Sequence, residues 1–152
     1  VSPKGMDSFR VLDSQRIAWL NLTGSGNETA AHMLADGRMT IMLTSFSGPP
    51  QIMRIYGVGV SVGWQSPEFD QLITKYYDGQ SPLGARQIVK LNIDLVQTSC
   101  GYGVPLFAYE GERASLENWH DHKGSDGILK SWRDHNLSSI DGLPTGLKLE
   151  KD

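Results

Sequence analysis

The fold of this chain is decided by residues 16–36, which read RIAWLNLTGSGNETAAHMLAD. The first seven of these residues are mostly apolar and predict the second strand of a hairpin that begins at Phe9. The next five are rich in glycine and predict a loop. The last nine predict a short helix that is capped by Asn27 or Ser25. A strand therefore leads through a flexible loop directly into a helix start.

The rest of the chain is rich in strands joined by turns. Residues 89–96 alternate apolar and polar side chains, as in a strand buried on one face. Gly57 and Gly59 suit a bulge or a barrel corner. Because there is no repeated strand–helix–strand series, we expect a mainly β fold of the α+β class, an antiparallel barrel with peripheral helices. The other predicted elements are strands at 38–46 and 51–62 and helices at 66–77, 112–123 and 125–135.

Length and charge limit the number of domains and the class of partner. The 152 residues suit a single domain, residues 1–152, with the helices from about residue 112 packing on the barrel. Fourteen Lys and Arg residues against 17 Asp and Glu residues give a net charge of −3, which argues against a nucleic-acid or membrane partner. One cysteine excludes a disulfide framework and favours a reducing, cytoplasmic setting. No apolar run approaches the ~20 residues that span a bilayer.

The loop at residues 23–27 is the main candidate for a binding site. Its glycines allow backbone N–H groups to converge, and the following helix start favours an anion. Thr23, Ser25 and Thr29 add hydroxyl donors. These features suit a phosphate group, and they also suit an ordinary loop with a helix cap, so the local sequence leaves both interpretations open.

Lys4 and Arg54 are the candidate sources of positive charge. Lys4 stands beside Gly5, and taken alone it would be an ordinary surface lysine. Arg54 lies in a predicted strand, where an inward-facing arginine needs an anionic partner. An outward-facing arginine needs none, and both orientations remain open.

Cysteine and histidine residues do not predict a catalytic or metal site. No histidine is close in sequence to Cys100, so a structural or pocket-lining role is favoured over a nucleophilic one. His120 and His122 are roughly 200° apart on a helix and cannot chelate one metal ion there. We therefore expect these two histidines on a solvated helix face.

Several motifs, spread over nearly the whole chain, carry a more specific resemblance. They are SPKG at residues 2–5, LNLTGSGNETAAH at 20–32, GPP at 48–50, RIYG at 54–57, QTSCGYGVP at 97–105 and SIDGLP at 139–144. In combination they resemble the pyridoxamine 5′-phosphate oxidase-like family of FMN-binding split barrels. The resemblance implies a Greek-key-like, homodimeric, six-stranded split barrel with two FMN sites across the subunit interface. It also implies that a strand and a helix precede Val1.

The resemblance implies roles for individual residues as well. Lys4 is similar to a lysine near the flavin and the substrate phosphate, and Gln51 to a glutamine near the flavin ring. Thr23 is similar to a hydroxyl residue at the isoalloxazine–ribityl strand. The residues expected to bind FMN are Ser2, Lys4, Thr23, Ser25, Asn27, Thr29, Gln51 and Arg54.

The chain departs from the family's oxidases in two places. Where they place an Arg-Lys pair on the FMN phosphate, this chain has Glu28 and Thr29. The phosphate then depends on the loop, on backbone N–H groups and on Lys4 or Arg54. The oxidases' C-terminal Arg-x-His motif for substrate is not evident, so vitamin B6 oxidation itself is not predicted.

Three functions follow from this pattern. The first is a flavin-dependent oxidoreductase acting on an unidentified small molecule, in which the flavin carries out the redox chemistry and no protein nucleophile is needed. The second is a non-catalytic binder of FMN, pyridoxal 5′-phosphate or haem, which the missing Arg-Lys pair favours. The third is a dimeric scaffold with a vestigial pocket. The sequence does not decide among them.

Overall fold

The computed structural model describes residues 2–150, and residues 1, 151 and 152 of the predicted domain lie outside the described residues. After a short 3₁₀ turn at Met6–Ser8, the chain forms the strands β1 (Phe9–Asp13), β2 (Arg16–Leu22), β3 (Arg38–Thr44), β4 (Gln51–Gly63) and β5 (Ala85–Cys100). The helices are α1 (Glu28–Ala35), α2 (Pro67–Tyr76) and α3 (Ser115–His135). Within residues 2–150, no helix combines the length and the apolar composition needed to span a bilayer.

The five strands form one antiparallel sheet in the order β1-β2-β5-β4-β3. Three successive strands, β3, β4 and β5, lie side by side. β2 lies beside β5, although the chain passes from β2 to β3 through α1. Three neighbouring strands with a fourth placed by a longer connection form a Greek key. The predicted mainly β, antiparallel, Greek-key-like fold is confirmed.

The sheet is curled, so that residues from both of its edges share one apolar interior. A cluster at its centre is formed by Ile17, Ile55 and Leu91 of three different strands. Phe9 of β1 and Met39 of β3 both pack against this cluster, although β1 and β3 are the two edge strands. Curling toward a barrel accounts for two edges meeting one interior. The described residues contain five strands, whereas the resemblance implied six.

Gly57 permits the bend in β4 that this curling requires. The pairing register with β5 shifts here, because Tyr56 lies opposite Leu95 whereas Gly57 lies opposite Ile93. A Cβ atom added to Gly57 would lie 1.9 Å from the carbonyl oxygen of Asn92. The two backbones approach too closely for any side chain, and the predicted bulge is confirmed at this glycine.

Part of the outer face of the sheet, around β2, is covered by α2. The Ser66 hydroxyl accepts a hydrogen bond from the Phe69 N–H at 3.2 Å, and Pro67 occupies the first turn, as predicted for this helix start. Phe69 and Ile73 then pack in one cluster with Ala18 of β2. Since alternate residues of β2 face the inner cluster, β2 is buried on both faces.

Two elements differ from the sequence prediction. β5 extends well beyond residues 89–96, because its polar ends continue to pair with β4 from Gln51 to Gly63. The two predicted C-terminal helices form one element, α3, which is broken at Gly124 as the sequence indicated. Gly124 has a φ of 62°, a conformation that glycine adopts readily.

Candidate functional site

The predicted loop lies where β2 ends and α1 begins. Asn27 is the N-cap residue of α1, and its carbonyl accepts the Ala30 N–H at 3.1 Å. The expected side-chain cap is wrong, because the Asn27 side chain makes no capping bond. Its Oδ1 accepts a hydrogen bond from Gln87 Nε2 at 2.9 Å instead. Ser25 is exposed and Thr29 is half-buried, so both remain accessible beside the buried Asn27.

Arg86, near the start of β5, is buried against this loop. Its guanidinium donates to the Gly26 carbonyl and to Asn136 Oδ1, each at 2.7 Å. Arg86 is only 4% exposed, and no carboxylate of residues 2–150 forms an ion pair with it. Burial lowers the pKa of Arg86 to about 10, which leaves the group charged at neutral pH. The loop therefore lies over an uncompensated buried positive charge.

A β-bulge in β5 orients the Arg86 side chain toward the loop at residues 23–27. Consecutive residues of β2 pair with Gln87 and Ala85, so Arg86 is the extra residue between them. Ala85 and Ile88 belong to the same core cluster although they are three positions apart. Regular alternation would place them on opposite faces of the sheet. The bulge turns Arg86 away from the regular pattern and toward the loop.

Three buried donors in this region have no acceptor among the described residues. They are the Nε of Arg86, the Nδ2 of Asn27 and the Nδ2 of Asn136. A buried donor without a partner costs about 1–3 kcal/mol, and such atoms are uncommon in folded proteins. Because all three atoms are donors, the cluster suits a group that carries several acceptor oxygens.

Lys4 approaches the same end of the sheet. Its Nζ donates to Asn21 Oδ1 at 2.7 Å, and Asn21 is a buried residue of β2. Much of Lys4 is exposed, but desolvation of the ammonium group and repulsion from Arg86 lower the pKa of Lys4 to about 8. Lys4 and Arg86 would both gain from a bound anion, because an opposite charge nearby favours the charged form of each group. Ser2, two residues earlier, is exposed.

Thr23 is fully buried and joins β2 to α3. Its hydroxyl donates to the Gly84 carbonyl at 2.7 Å and accepts from Trp132 Nε1 at 2.6 Å. The Thr23 carbonyl lies 3.0 Å from His120 Nε2. The expected solvated face is therefore wrong for His120, which is 2% exposed, while His122 is exposed. The contact of Thr23 with a flavin stays a prediction.

Gln51 and Arg54 lie at the opposite end of β4. Arg54 precedes Gly63 by nine residues, and Gly63 is the β4 residue that pairs with Gln87 beside the loop. At a strand rise of ~3.3 Å per residue this separation is about 30 Å along the strand. Arg54 donates to Ser99 Oγ at 3.0 Å, and Gln51 is exposed. The structure does not bring either residue to the loop of the same chain.

Sequence reasoning missed Arg86 and Asn136. The position of Arg86 directly before an apolar alternation signals that the strand begins earlier than predicted. Nothing local indicates that Asn136, 50 positions later, would accept its hydrogen bond. The site is thus assembled by the packing of α3 against β5 and the loop.

Comparison with known proteins finds a relative that is similar over most of this chain. The "Pyridoxamine 5′-phosphate oxidase family protein ustO" of Aspergillus flavus is 35% identical over 159 aligned residues, which cover 95% of this chain. By this comparison the chain is similar to a member of the pyridoxamine 5′-phosphate oxidase family. It spans 64% of the length of that relative. No model of a known protein family matches the sequence. The crystal structure of HupZ from Group A Streptococcus aligns with a TM-score of 0.46 and 13% identity, over 59% of this chain and 66% of HupZ.

Glu28, at the start of α1, is engaged by the C-terminal segment. Its Oε2 accepts a hydrogen bond from the Ile140 N–H at 3.0 Å. A Cβ atom added to Gly26 would lie 3.2 Å from its Oε1. The carboxylate thus lies between the loop and the turn at 138–144. It forms no ion pair with Arg86 among the described residues.

Proposed function

We propose that this chain binds FMN and that the loop at residues 23–27, together with the start of α1, receives the FMN phosphate. The single observation that carries the proposal is Arg86, a buried cation that has no carboxylate partner among the described residues. A buried charge without compensation is costly, and an anion at the adjoining loop would offset that cost.

The donors around Arg86 suit a phosphate better than a neutral group. A phosphate offers several acceptor oxygens, and the region supplies unpaired donors on Arg86, Asn27 and Asn136. The start of α1 adds free backbone N–H groups and the positive end of the helix dipole. We assign Ser25 and Thr29 to direct hydroxyl contacts and Lys4 to a second positive charge.

Catalysis in this proposal comes from the cofactor. A bound flavin supplies hydride-transfer chemistry, and the chain's own residues bind and orient it. We propose that the chain is a flavin-dependent oxidoreductase acting on a small molecule. The second candidate is a non-catalytic binder of FMN or pyridoxal 5′-phosphate. It is favoured by Glu28 and Thr29, which stand where the family's oxidases carry an Arg-Lys pair.

We further propose that the active form is a homodimer. Gln51 and Arg54 lie too far along β4 to reach a phosphate held by the loop of their own chain, so they can serve a flavin site only across an interface. Monomeric proteins rarely expose extended apolar surface. The strands β3, β4 and β5 nevertheless carry exposed apolar side chains, namely those of Met42, Leu43, Val58, Val60, Leu95 and Val96.

Titration with FMN, riboflavin and pyridoxal 5′-phosphate tests the proposal. The full chain should bind FMN more tightly than riboflavin, which lacks the phosphate. Arg86→Met should weaken FMN binding by about tenfold or more, since a charge-assisted contact contributes about 1.5–3 kcal/mol. Arg86→Met should leave riboflavin binding unchanged, and Arg113→Met, at an exposed arginine, serves as the control.

Each outcome bears on a different part of the proposal. If the wild-type chain bound FMN and riboflavin with equal affinity, the proposed phosphate site would be contradicted, and no variant would be needed to show it. Tighter binding of pyridoxal 5′-phosphate than of FMN would support the non-catalytic alternative. Circular dichroism of Arg86→Met establishes whether the variant is folded before its affinity is interpreted.

A further inference from the structure

Apart from the loop at residues 23–27, a group of side chains that could bind a metal ion lies on the exposed side of α1. Glu28, His32 and Asp141 each offer one ligand atom, and these three atoms lie within 4.8 Å of one another. His32 Nε2 is 3.5 Å from Asp141 Oδ2. His32 and Asp141 are exposed and Glu28 is half-buried, so an ion from solution can reach the group.

The chain brings these residues together from two separate segments. Glu28 and His32 are one helical turn apart on α1, so both side chains project from the same side of the helix. Asp141 comes from the turn at 138–144. That turn is closed by the Ser139 N–H bond to the Leu143 carbonyl at 2.8 Å and by the bridge between residues 138 and 144.

Neighbouring hydrogen bonds orient both carboxylates. The Ile140 N–H donates to Oε2 of Glu28, and the Ser139 hydroxyl donates to Oδ1 of Asp141. Each carboxylate therefore keeps its other oxygen for a ligand. Outer contacts of this kind position the ligands of metal sites.

We propose that Glu28, His32 and Asp141 bind a divalent first-row transition ion, of which Zn²⁺ is the most suitable probe. One imidazole and two carboxylates are ligands that Zn²⁺ accepts, and three protein ligands leave a position for water. Mg²⁺ and Ca²⁺ prefer oxygen ligands only and are disfavoured by His32. As a surface ion pair alone, His32 and Asp141 would contribute little to stability. A bound ion would fasten the C-terminal turn to α1.

The experiment uses the full chain, free of any histidine tag, stripped with a chelator and carrying Cys100→Ser to remove the exposed thiol as a competing ligand. Zn²⁺ and Mg²⁺ are titrated by calorimetry, and thermal unfolding is followed with and without each ion. The test variants are Glu28→Gln, His32→Gln and Asp141→Asn, which preserve size and hydrogen bonding. His122→Gln is the matched control, because His122 is exposed and lies in no such group among residues 2–150.

We expect one Zn²⁺ per chain, a higher unfolding temperature with Zn²⁺ and no effect of Mg²⁺. Each test variant should lose at least about tenfold in Zn²⁺ affinity, since loss of even an outer contact costs 10–100-fold. The His122→Gln control should bind as the parent does. Equal Zn²⁺ binding by the parent and His32→Gln, or no saturable binding by the parent, would overturn the proposal. The Zn²⁺ titration uses no flavin, so its result does not depend on whether the proposed FMN binding is correct.

Discussion

The indole Nε1 of Trp132 donates a hydrogen bond of 2.6 Å to the hydroxyl of Thr23, 109 positions earlier in the chain. Both residues are buried, and the same hydroxyl donates to the carbonyl of Gly84. This relationship fixes the C-terminal half of α3 on the end of β2, directly before the loop that we propose as the phosphate site. The stability of the fold and the shape of the site are therefore linked through one side chain.

Thr23→Val tests this link. Valine preserves the volume of threonine, but it leaves the Trp132 indole N–H buried without an acceptor. We expect a loss of about 1–3 kcal/mol in the free energy of unfolding, measured by urea denaturation. Thr23→Ser, which retains the hydroxyl, should lose less. Thr74→Val, at an exposed helix position, is the control. A loss for Thr23→Val no larger than that for Thr74→Val would contradict the role of this hydroxyl.

Gly57→Ala tests the bulge that curls the sheet. The added Cβ would lie 1.9 Å from the backbone carbonyl of Asn92, and backbone atoms cannot rotate away as a side chain does. We expect a destabilisation of about 3 kcal/mol or more, or loss of the folded state, measured by thermal unfolding. At Gly103 a Cβ atom would meet nothing within 4 Å, so Gly103→Ala should unfold as the wild type does. Similar unfolding temperatures for the two variants would show that the register shift is not obligatory.

The pKa of Lys4 predicts how FMN affinity depends on pH. Lys4 has a pKa of about 8 without ligand, and a bound anion should raise it. The protonated form binds the phosphate better, so affinity should fall as the pH rises through about 8. We expect this fall between about pH 7 and 9.5 when FMN is titrated by fluorescence quenching. Lys4→Arg remains charged over this range and should show a flat profile. The same slope in both proteins would place the titrating group elsewhere.

The proposed homodimer predicts a monomeric variant. Leu95 is 58% exposed on β5, and a charge at this position should be unfavourable in an interface between two copies. We expect Leu95→Glu to lower the molar mass measured by light scattering from that of two chains to that of one. Val11→Glu, on edge strand β1 and 65% exposed, is the control and should remain dimeric. A wild-type chain that is monomeric at micromolar concentration would refute the dimer itself.

Much of the fold could be predicted from the sequence because it depends on local patterns. The alternation at residues 89–96 indicated a half-buried strand, and the Ser66-Pro67 pair indicated the start of α2. Gly57 and Gly124 marked the bulge and the helix break, since each position needs a backbone geometry or a close approach that other residues resist. The loop at 23–27 was located correctly for the same reason.

The tertiary structure decided which side chains meet at that loop. Arg86 and Asn136 are 50 positions apart in the sequence, and Thr23 and Trp132 are 109 positions apart. Both contacts exist only because α3 packs against β2 and β5. The Glu28–His32–Asp141 group likewise depends on the C-terminal turn folding onto α1. Sequence alone determined the antiparallel class, the starts of α1 and α2 and the glycine-dependent bends, because these follow from propensities of neighbouring residues. Packing alone decided the burial of Arg86 and the separation of Arg54 from the loop, because a charge acquires its environment only when distant segments enclose it.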